Sequence, residues 1–141
     1  MFNFTKKNKN LDNNKTSLLS KTASLLIHAA KMDESYTEKE KEIIKKTLID
    51  LGVNSKEINK IMIEAEENEK NSNQILDFTK DLKKTDQDFK IKLVETLWKI
   101  IYSDAKSDMF EDNLMRRLTG LLYFDKKMVG DIKEKIKKNL L

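Results

Sequence analysis

The chain has 141 residues, which is enough for one domain with a sizeable core. It contains no Cys and no Pro, so disulfides, cysteine-ligated metals and thiolate nucleophiles are excluded, and nothing breaks the chain into short strands. The net charge of +4 comes from residues 1–21, and the neutral remainder lacks the basic stripe that nucleic-acid binders carry.

The N-terminal segment 1–16 is basic and rich in Asn, without the apolar stretch of a secretory signal. It predicts a flexible, solvated tail. A docking arm, which includes weak contact with a membrane surface, is the alternative. Because no apolar run is long enough to span a bilayer, we expect a cytoplasmic protein with protein partners, without nucleic acid and without a transmembrane segment.

Apolar residues recur at helical spacing from residue 17 to the C-terminus, among the strong helix formers Leu, Ile, Lys and Glu. The pattern predicts an all-α fold, a single seven-helix bundle over residues 17–141. Start signals lie, in chain order, at residue 17, Thr37, Ser55, Ser72, Thr85, Asp108 and Asp125. Gly52 is the predicted stop of the second helix.

The third and fifth predicted helices differ in character. The third has one apolar stripe within 58–65 opposite a face of Glu, Lys and Asn, which predicts a surface helix. The fifth is the most apolar, around Leu97 and Trp98, and we expect it to form the centre of the core. Tyr102, one turn after Trp98, is a predicted packing partner.

An internal repeat relates the two halves of the chain. When Leu26 is aligned with Leu97, Asp33 falls on Asp104 and the rest of the first half follows without a gap; this register is called here the repeat alignment. The repeat halves cover about residues 22–66 and 93–137. We therefore predict an internal three-helix duplication, with the fourth helix as the connector.

The repeat contains a matched acidic turn, in which an Asp is followed by a cap residue and then by a Glu. One interpretation is structural. Thr37 with Glu40, and Asp108 with Glu111, both fit the capping box that satisfies free N–H groups at a helix start. This interpretation requires no ligand.

The second interpretation is a metal site. Asp33 and Asp104 follow predicted helix C-termini, where free carbonyls repel an anion and a hard cation would relieve the repulsion. Tolerance of Asp for turns is the simpler alternative. The predicted cofactor is a divalent cation, Ca²⁺, Mg²⁺ or Mn²⁺, and its predicted ligands are Asp33, Glu34, Glu40, Asp104, Asp108 and Glu111. Neither turn has the ligand spacing of an EF-hand.

The remaining polar residues offer no catalytic constellation. His28 is the only histidine and has no second His at metal-ligand spacing, so we expect it to pack or to face solvent. Arg116 and Arg117 are expected to be solvated or ion-paired, with a role in contacting a partner as the alternative. No nucleophile with an adjacent base and no phosphate-binding loop is present, so we expect no enzymatic activity.

Two stretches of the chain carry a family resemblance: His28 to Asp33 followed by Thr37 and Glu40, and Leu97 to Asp104 followed by Asp108, Glu111, Arg116 and Arg117. Together they resemble the tellurite-resistance TerB-like family. The resemblance covers about residues 17–138. It implies a seven-helix domain, a bacterial stress setting and a proposed cation site at the acidic turns. Glu34 and Ala105 stand where the family has Gly. Two functions follow: a non-enzymatic, cation-binding stress-response module, and a metal-independent protein–protein adaptor.

Overall fold

The computed structural model describes the backbone of residues 2–32, 36–71, 76–103 and 109–140, and the side chains of 17–32, 36–71, 78–103 and 113–139. Within these ranges the chain is all-helical and contains no strand. The all-α prediction is therefore confirmed. None of the helices in these ranges combines the length and the hydropathy that crossing a bilayer requires.

In the described ranges six helices have 13 to 30 residues, and a short α-helical segment and a 3-10 turn lie between the third and the fourth of them. In chain order the elements are α1 (Phe2–Lys31), α2 (Glu38–Asp50), α3 (Ile58–Asn71), α4 (Leu76–Thr79), the 3-10 turn Leu82–Lys84, α5 (Gln87–Ser103), α6 (Met109–Leu121) and α7 (Lys126–Leu140). Of the predicted fourth helix, the structure describes Leu76–Thr79, since residues 72–75 lie outside the described ranges, and a count of seven full helices stays a prediction.

Helix α1 begins at Phe2, well before the predicted start at residue 17. No Gly or Pro occurs in 2–31, so nothing in that stretch stops the helix from extending towards the N-terminus. The segment predicted as a tail, 1–16, therefore contributes helical backbone to α1, and its side chains lie outside the described residues.

The predicted cap of α3 is displaced, whereas α5 begins after Thr85, as predicted. Ser55 does not cap α3; instead the Asn54 side chain accepts the Lys56 N–H at 3.0 Å in a tight turn before the helix starts at Ile58. Helix α5 is capped by Asp86, whose carboxylate accepts the Phe89 N–H at 2.9 Å. Short polar side chains next to one another compete for the same cap, and local geometry selects between them.

Helices α2 and α6 end in the same way. Gly52 has φ 117°, and the Val53 N–H donates to the Leu48 carbonyl at 2.9 Å, the reversal that commonly ends a helix at a Gly. At the equivalent positions in the repeat alignment, Tyr123 has φ 56° and the Phe124 N–H donates to the Thr119 carbonyl at 3.0 Å. Gly52 is confirmed as the stop of α2.

Helix α1 is enclosed by the rest of the bundle. All six residues from Thr22 to Ile27 are buried, and six consecutive positions cover every face of a helix. The two polar residues among them are satisfied by carbonyls, since the Thr22 hydroxyl donates to Leu18 at 2.8 Å and the Ser24 hydroxyl to Ala65 at 3.1 Å. Helix α1 packs against α3 and α5 against α7, and α1 and α5 also pack against each other. The predicted central role of α5 is therefore shared with α1.

Candidate functional site

The six predicted ligands fall unequally on the described part of the chain. Asp33, Glu34, Asp104 and Asp108 lie outside it, and Glu111 lies in α6 where only the backbone is described. Glu40 is the one predicted ligand whose side chain is described. The ligand set as a whole therefore stays a prediction.

Glu40 belongs to the capping box at the start of α2. Its Oε1 accepts the backbone N–H of Thr37 at 2.9 Å and the Thr37 hydroxyl at 3.0 Å, while its own N–H donates to Thr37 Oγ1 at 3.2 Å. The residue is 2% exposed. The capping interpretation is confirmed for this turn, and one oxygen of the Glu40 carboxylate already has two hydrogen-bond donors.

A second polar group, the Glu69 cluster, consists of Glu69 on α3 with His28 and Lys31 on α1. The buried Glu69 carboxylate accepts a hydrogen bond from Lys31 Nζ at 2.8 Å, and its other oxygen lies 3.3 Å from His28 Nδ1. The His28 ring also packs against Phe78, with ring centroids 6.5 Å apart. His28 packs, which is one of the two outcomes expected of it, and the cluster joins α1 to α3 just before the first acidic turn.

Tyr36 lies on the other side of that turn and contacts α3 as well. Its hydroxyl donates to Glu66 Oε1 at 3.0 Å, and Lys41 Nζ lies 3.6 Å from the same oxygen and 5.1 Å from the centre of the Tyr36 ring. Burial, followed by the hydrogen bond to Glu66, raises the pKa of the Tyr36 phenol above its ordinary value. These side chains and Lys31 line a groove of about 330 Å³.

Both polar groups and both acidic turns fall within residues 19–134. Over this range the chain matches the family model described as Tellurite resistance protein TerB. The chain belongs to the TerB family. This confirms the resemblance carried by the acidic turns. No curated protein and no solved structure matches the chain.

Three of the polar residues in this TerB-family chain are not found by sequence reasoning. The apolar stripe predicted for α3 stops at Ala65, so Glu66 and Glu69 are not singled out from its other charged residues, and nothing around Tyr36 marks it as a contact residue. A signal for Glu69 exists in the sequence, because it continues the apolar stripe that begins at Ile58 by one further helical turn. A carboxylate on such a stripe is expected to be buried and paired.

The α3 carboxylates beside the first turn of this TerB-family chain already have lysine partners. Lys31 pairs with Glu69. Lys41 Nζ lies 3.6 Å from Oε1 of Glu66 and 3.8 Å from Oε1 of Glu38. In the ranges with described side chains, no group of three or more His, Asp or Glu is placed to hold a metal ion. A cation at the first turn would therefore need Asp33 and Glu34 as ligands in addition to Glu40.

Raising the pH above 10 is expected to reduce the stability that Tyr36 contributes. Because the folded state raises the pKa of Tyr36 above the ordinary value of 10.0, the unfolded chain loses its phenol proton first. The contribution of Tyr36 to the free energy of unfolding is complete below the ordinary pKa of 10.0. Above it, this contribution falls by at most about 1.4 kcal/mol per pH unit. Urea unfolding of the wild type and of Tyr36→Phe, at about pH 8 and about pH 11, measures the difference.

We expect the free energy of unfolding of the wild type to exceed that of Tyr36→Phe by less at the higher pH, or to fall below it. All other titratable residues are the same in both proteins, so the difference between the two isolates the Tyr36 phenol. An advantage that is the same at both pH values would contradict the predicted role of this phenol.

Proposed function

We propose that this TerB-family chain is a non-enzymatic module that binds a divalent cation at its acidic inter-helix turns and acts in stress response. The cation would be Ca²⁺, Mg²⁺ or Mn²⁺, held by carboxylate oxygens, which such hard ions prefer. Membership of a tellurite-resistance family supports the stress setting. The only histidine, His28, packs between Glu69 and Phe78, which supports a module without acid–base catalysis.

The observation that carries the cation proposal is the pairing of the lysines beside the first turn. Lys31 donates to Glu69 at 2.8 Å and Lys41 lies 3.6 Å from Glu66, so carboxylates of α3 engage both ammonium groups. Lysines held in this way compete less with a metal ion for the carboxylates of the turn itself. Asp33 and Glu34 would then favour a cation from solution.

The second turn is expected to contribute at least as much as the first. In the first turn, Oε1 of Glu40 already accepts two hydrogen bonds from Thr37, which reduces its capacity as a ligand. In the second turn, Asp104, Asp108 and Glu111 provide three carboxylates with only Lys106 close in sequence. Cation affinity rises with the number of charged ligands.

Thermal unfolding in excess EDTA, followed by addition of Ca²⁺, Mg²⁺ or Mn²⁺, tests the proposal. An ion present at about 100 times its Kd is expected to stabilise the folded state by about 2.7 kcal/mol. We expect Asp104→Asn to remove more of this stabilisation than Asp33→Asn. Asp131→Asn is the matched control, because Asp131 is exposed on α7 and belongs to neither turn.

Three results would contradict this proposal. If no ion shifts the melting curve, the carboxylates are caps and surface charges. If Asp104→Asn leaves the ion-dependent shift intact, the second turn is not the main site. If the control loses the shift as well, binding is a non-specific effect of surface charge.

The alternative function is a metal-independent protein–protein adaptor. It is favoured by the exposure of both Arg116 and Arg117 on α6, since Arg is enriched at protein interfaces. The basic segment 1–16 would be a second contact surface. An adaptor would retain partner binding in EDTA, whereas a cation-dependent module would not.

We also infer that the two halves arose by duplication of one unit. The end of α2 coincides with the end of α6 in the repeat alignment, and the hydrogen bonds that end the two helices coincide as well. The pairing of α1 with α3 and of α5 with α7 follows the same relation. Superposition of 22–66 on 93–137 tests it, and helices that cross at different angles in the two halves would contradict it.

A further inference from the structure

Helices α5, α6 and α7 form a groove of about 960 Å³, called here the α6–α7 groove. The buried side chains of Trp98 and Phe124 contribute an apolar floor. Arg116, Lys126 and Lys133 contribute positive charge, and no carboxylate among the described side chains lines the groove. The groove therefore combines an apolar surface with charge of one sign.

Two glycines open this groove. Gly120 on α6 and Gly130 on α7 both line it, and a Cβ atom at either position would meet no atom within 4 Å. Neither has a positive φ, so neither is needed for a turn. Glycine weakens a helix relative to Ala, and packing within the described chain gives no compensation for either residue. Their effect is to let an external group approach the two helix backbones.

The corresponding groove of the first half has a smaller volume. A groove of about 510 Å³ lies beside α2 and α3, and its lining includes Ile49 and Asn59. The repeat alignment places Ile49 on Gly120 and Asn59 on Gly130. The second half thus lacks the two side chains that occupy this position in the first, which accounts for the larger space.

Tyr123 is a third difference between the two grooves. It occupies the left-handed position, φ 56°, that Gly52 occupies in the first half, and it is 69% exposed at the edge of the α6–α7 groove. A bulky residue in this conformation is energetically costly. Exposed tyrosines are enriched among the residues that dominate binding energy at interfaces. A tyrosine at position 123 therefore favours contact with a partner over the stability of the fold.

We propose that the α6–α7 groove binds an acidic, amphipathic helix of a partner protein. Apolar side chains of that helix would enter between Gly120 and Gly130, and its carboxylates would meet Arg116 and Lys126. Helix-in-groove recognition uses this combination of spaced apolar anchors and flanking charge. The proposal rests on the adaptor alternative above and does not require a bound cation.

Charge complementarity selects this occupant over two others. A second copy docked through the same patch would bring one set of cations against another, which is unfavourable. A nucleic acid would satisfy the cations through its phosphates but would leave the apolar floor unused. A helix with apolar and acidic faces matches both parts of the groove.

The probe for the test is a synthetic peptide of about 16 residues, with Leu at positions i, i+3, i+4 and i+7 and Glu on both flanks. A second peptide has Lys in place of each Glu. Fluorescence anisotropy measures binding to the full chain, and amide chemical shifts of Gly120 and Gly130 locate it. We expect the Glu peptide to bind at least about tenfold more tightly than the Lys peptide, with an affinity that falls as salt is raised.

Variants of the full chain locate the site. Gly120→Leu, and separately Gly130→Leu, are expected to weaken binding at least about tenfold while leaving the melting temperature unchanged or higher, because Leu is the better helix former. Arg116→Glu is expected to weaken binding to a similar extent. Lys135→Glu, on the exposed surface of α7 outside the groove, is the charge-matched control and should change the affinity less than about twofold.

The outcomes separate this proposal from the adaptor function. The groove proposal is wrong if the glycine variants bind the Glu peptide as tightly as the wild type does. If the double variant Lys6→Gln, Lys7→Gln then abolishes binding, an adaptor that acts through segment 1–16 remains. Binding of neither peptide overturns the groove proposal. It is also overturned if a single-stranded oligonucleotide binds more tightly than the Glu peptide, or if Gly120→Leu dissolves a dimer seen by sedimentation.

Discussion

Trp98→Ala is expected to lower the free energy of unfolding by about 3–5 kcal/mol. Trp98 is 2% exposed and joins α5 to α7, because its indole N–H donates to the Val129 carbonyl at 3.1 Å. Its ring stacks on Tyr102 at 5.8 Å and lies 5.2 Å from Lys133 Nζ. Truncation would remove the ring packing and the hydrogen bond together. Urea unfolding followed by far-UV circular dichroism is the measurement, since the variant lacks the only Trp.

Two further variants separate the contributions of Trp98. Trp98→Phe retains most of the ring packing but loses the bond to Val129, and it should cost about 1–2 kcal/mol. Tyr123→Ala, at an aromatic residue that is 69% exposed, is the control and should cost less than about 1 kcal/mol. Equal effects of Trp98→Ala and Tyr123→Ala would show that α5 and α7 do not depend on this contact.

Lys31→Met is expected to destabilise the protein by about 2 kcal/mol, whereas Glu69→Leu should remain within about 1 kcal/mol of the wild type. The asymmetry arises from the different exposure of the partners. The Glu69 side chain is 10% exposed, while those of Lys31 and His28 are 38% and 28% exposed. Loss of Lys31 leaves a buried carboxylate with a weakened set of partners. Loss of Glu69 leaves the Lys31 ammonium group and the His28 ring, which water can hydrate, and Leu extends the apolar stripe of α3.

Lys70→Met is the matched control for this pair. Lys31 and Lys70 both lie in the last turn of a helix, so the interaction with the helix dipole is removed equally in both. Lys70 is exposed and forms no ion pair among the described side chains, so its replacement should cost less than about 0.5 kcal/mol. If Lys31→Met costs no more than Lys70→Met, the Glu69 cluster does not stabilise the fold.

Features that depend on neighbouring residues are predicted well. The start of α2 follows from Thr37 and Glu40, which form the capping box, and its end follows from Gly52. The start of α3 is not predicted correctly because Asn54 and Ser55 are both plausible caps, and only the backbone geometry decides which of them accepts the bond. The start of α1 is not predicted correctly because a Lys- and Asn-rich composition does not by itself prevent helix formation.

Of the candidate site, the sequence predicts the capping pair of Thr37 and Glu40, but not the partners that α3 supplies. Glu66 and Glu69 approach the first turn only because α3 packs along α1, which lies far earlier in the chain. The spacing of residues within α3 shows which face is apolar, but it does not show which helix that face meets. The pairing of Lys31 with Glu69 could not be predicted for this reason.

The sequence by itself determined the helical class and the positions where α2 begins and ends, because these depend on interactions within a few residues. It also determined the family, which is recognised from the residues themselves. Only the tertiary structure decided that α1 is enclosed, that the Glu69 carboxylate is buried beside Lys31, and that Gly120 and Gly130 open the same groove. Each of these depends on which faces of distant helices meet. That choice follows from packing the whole core, to which every helix contributes, and not from the period of any one segment.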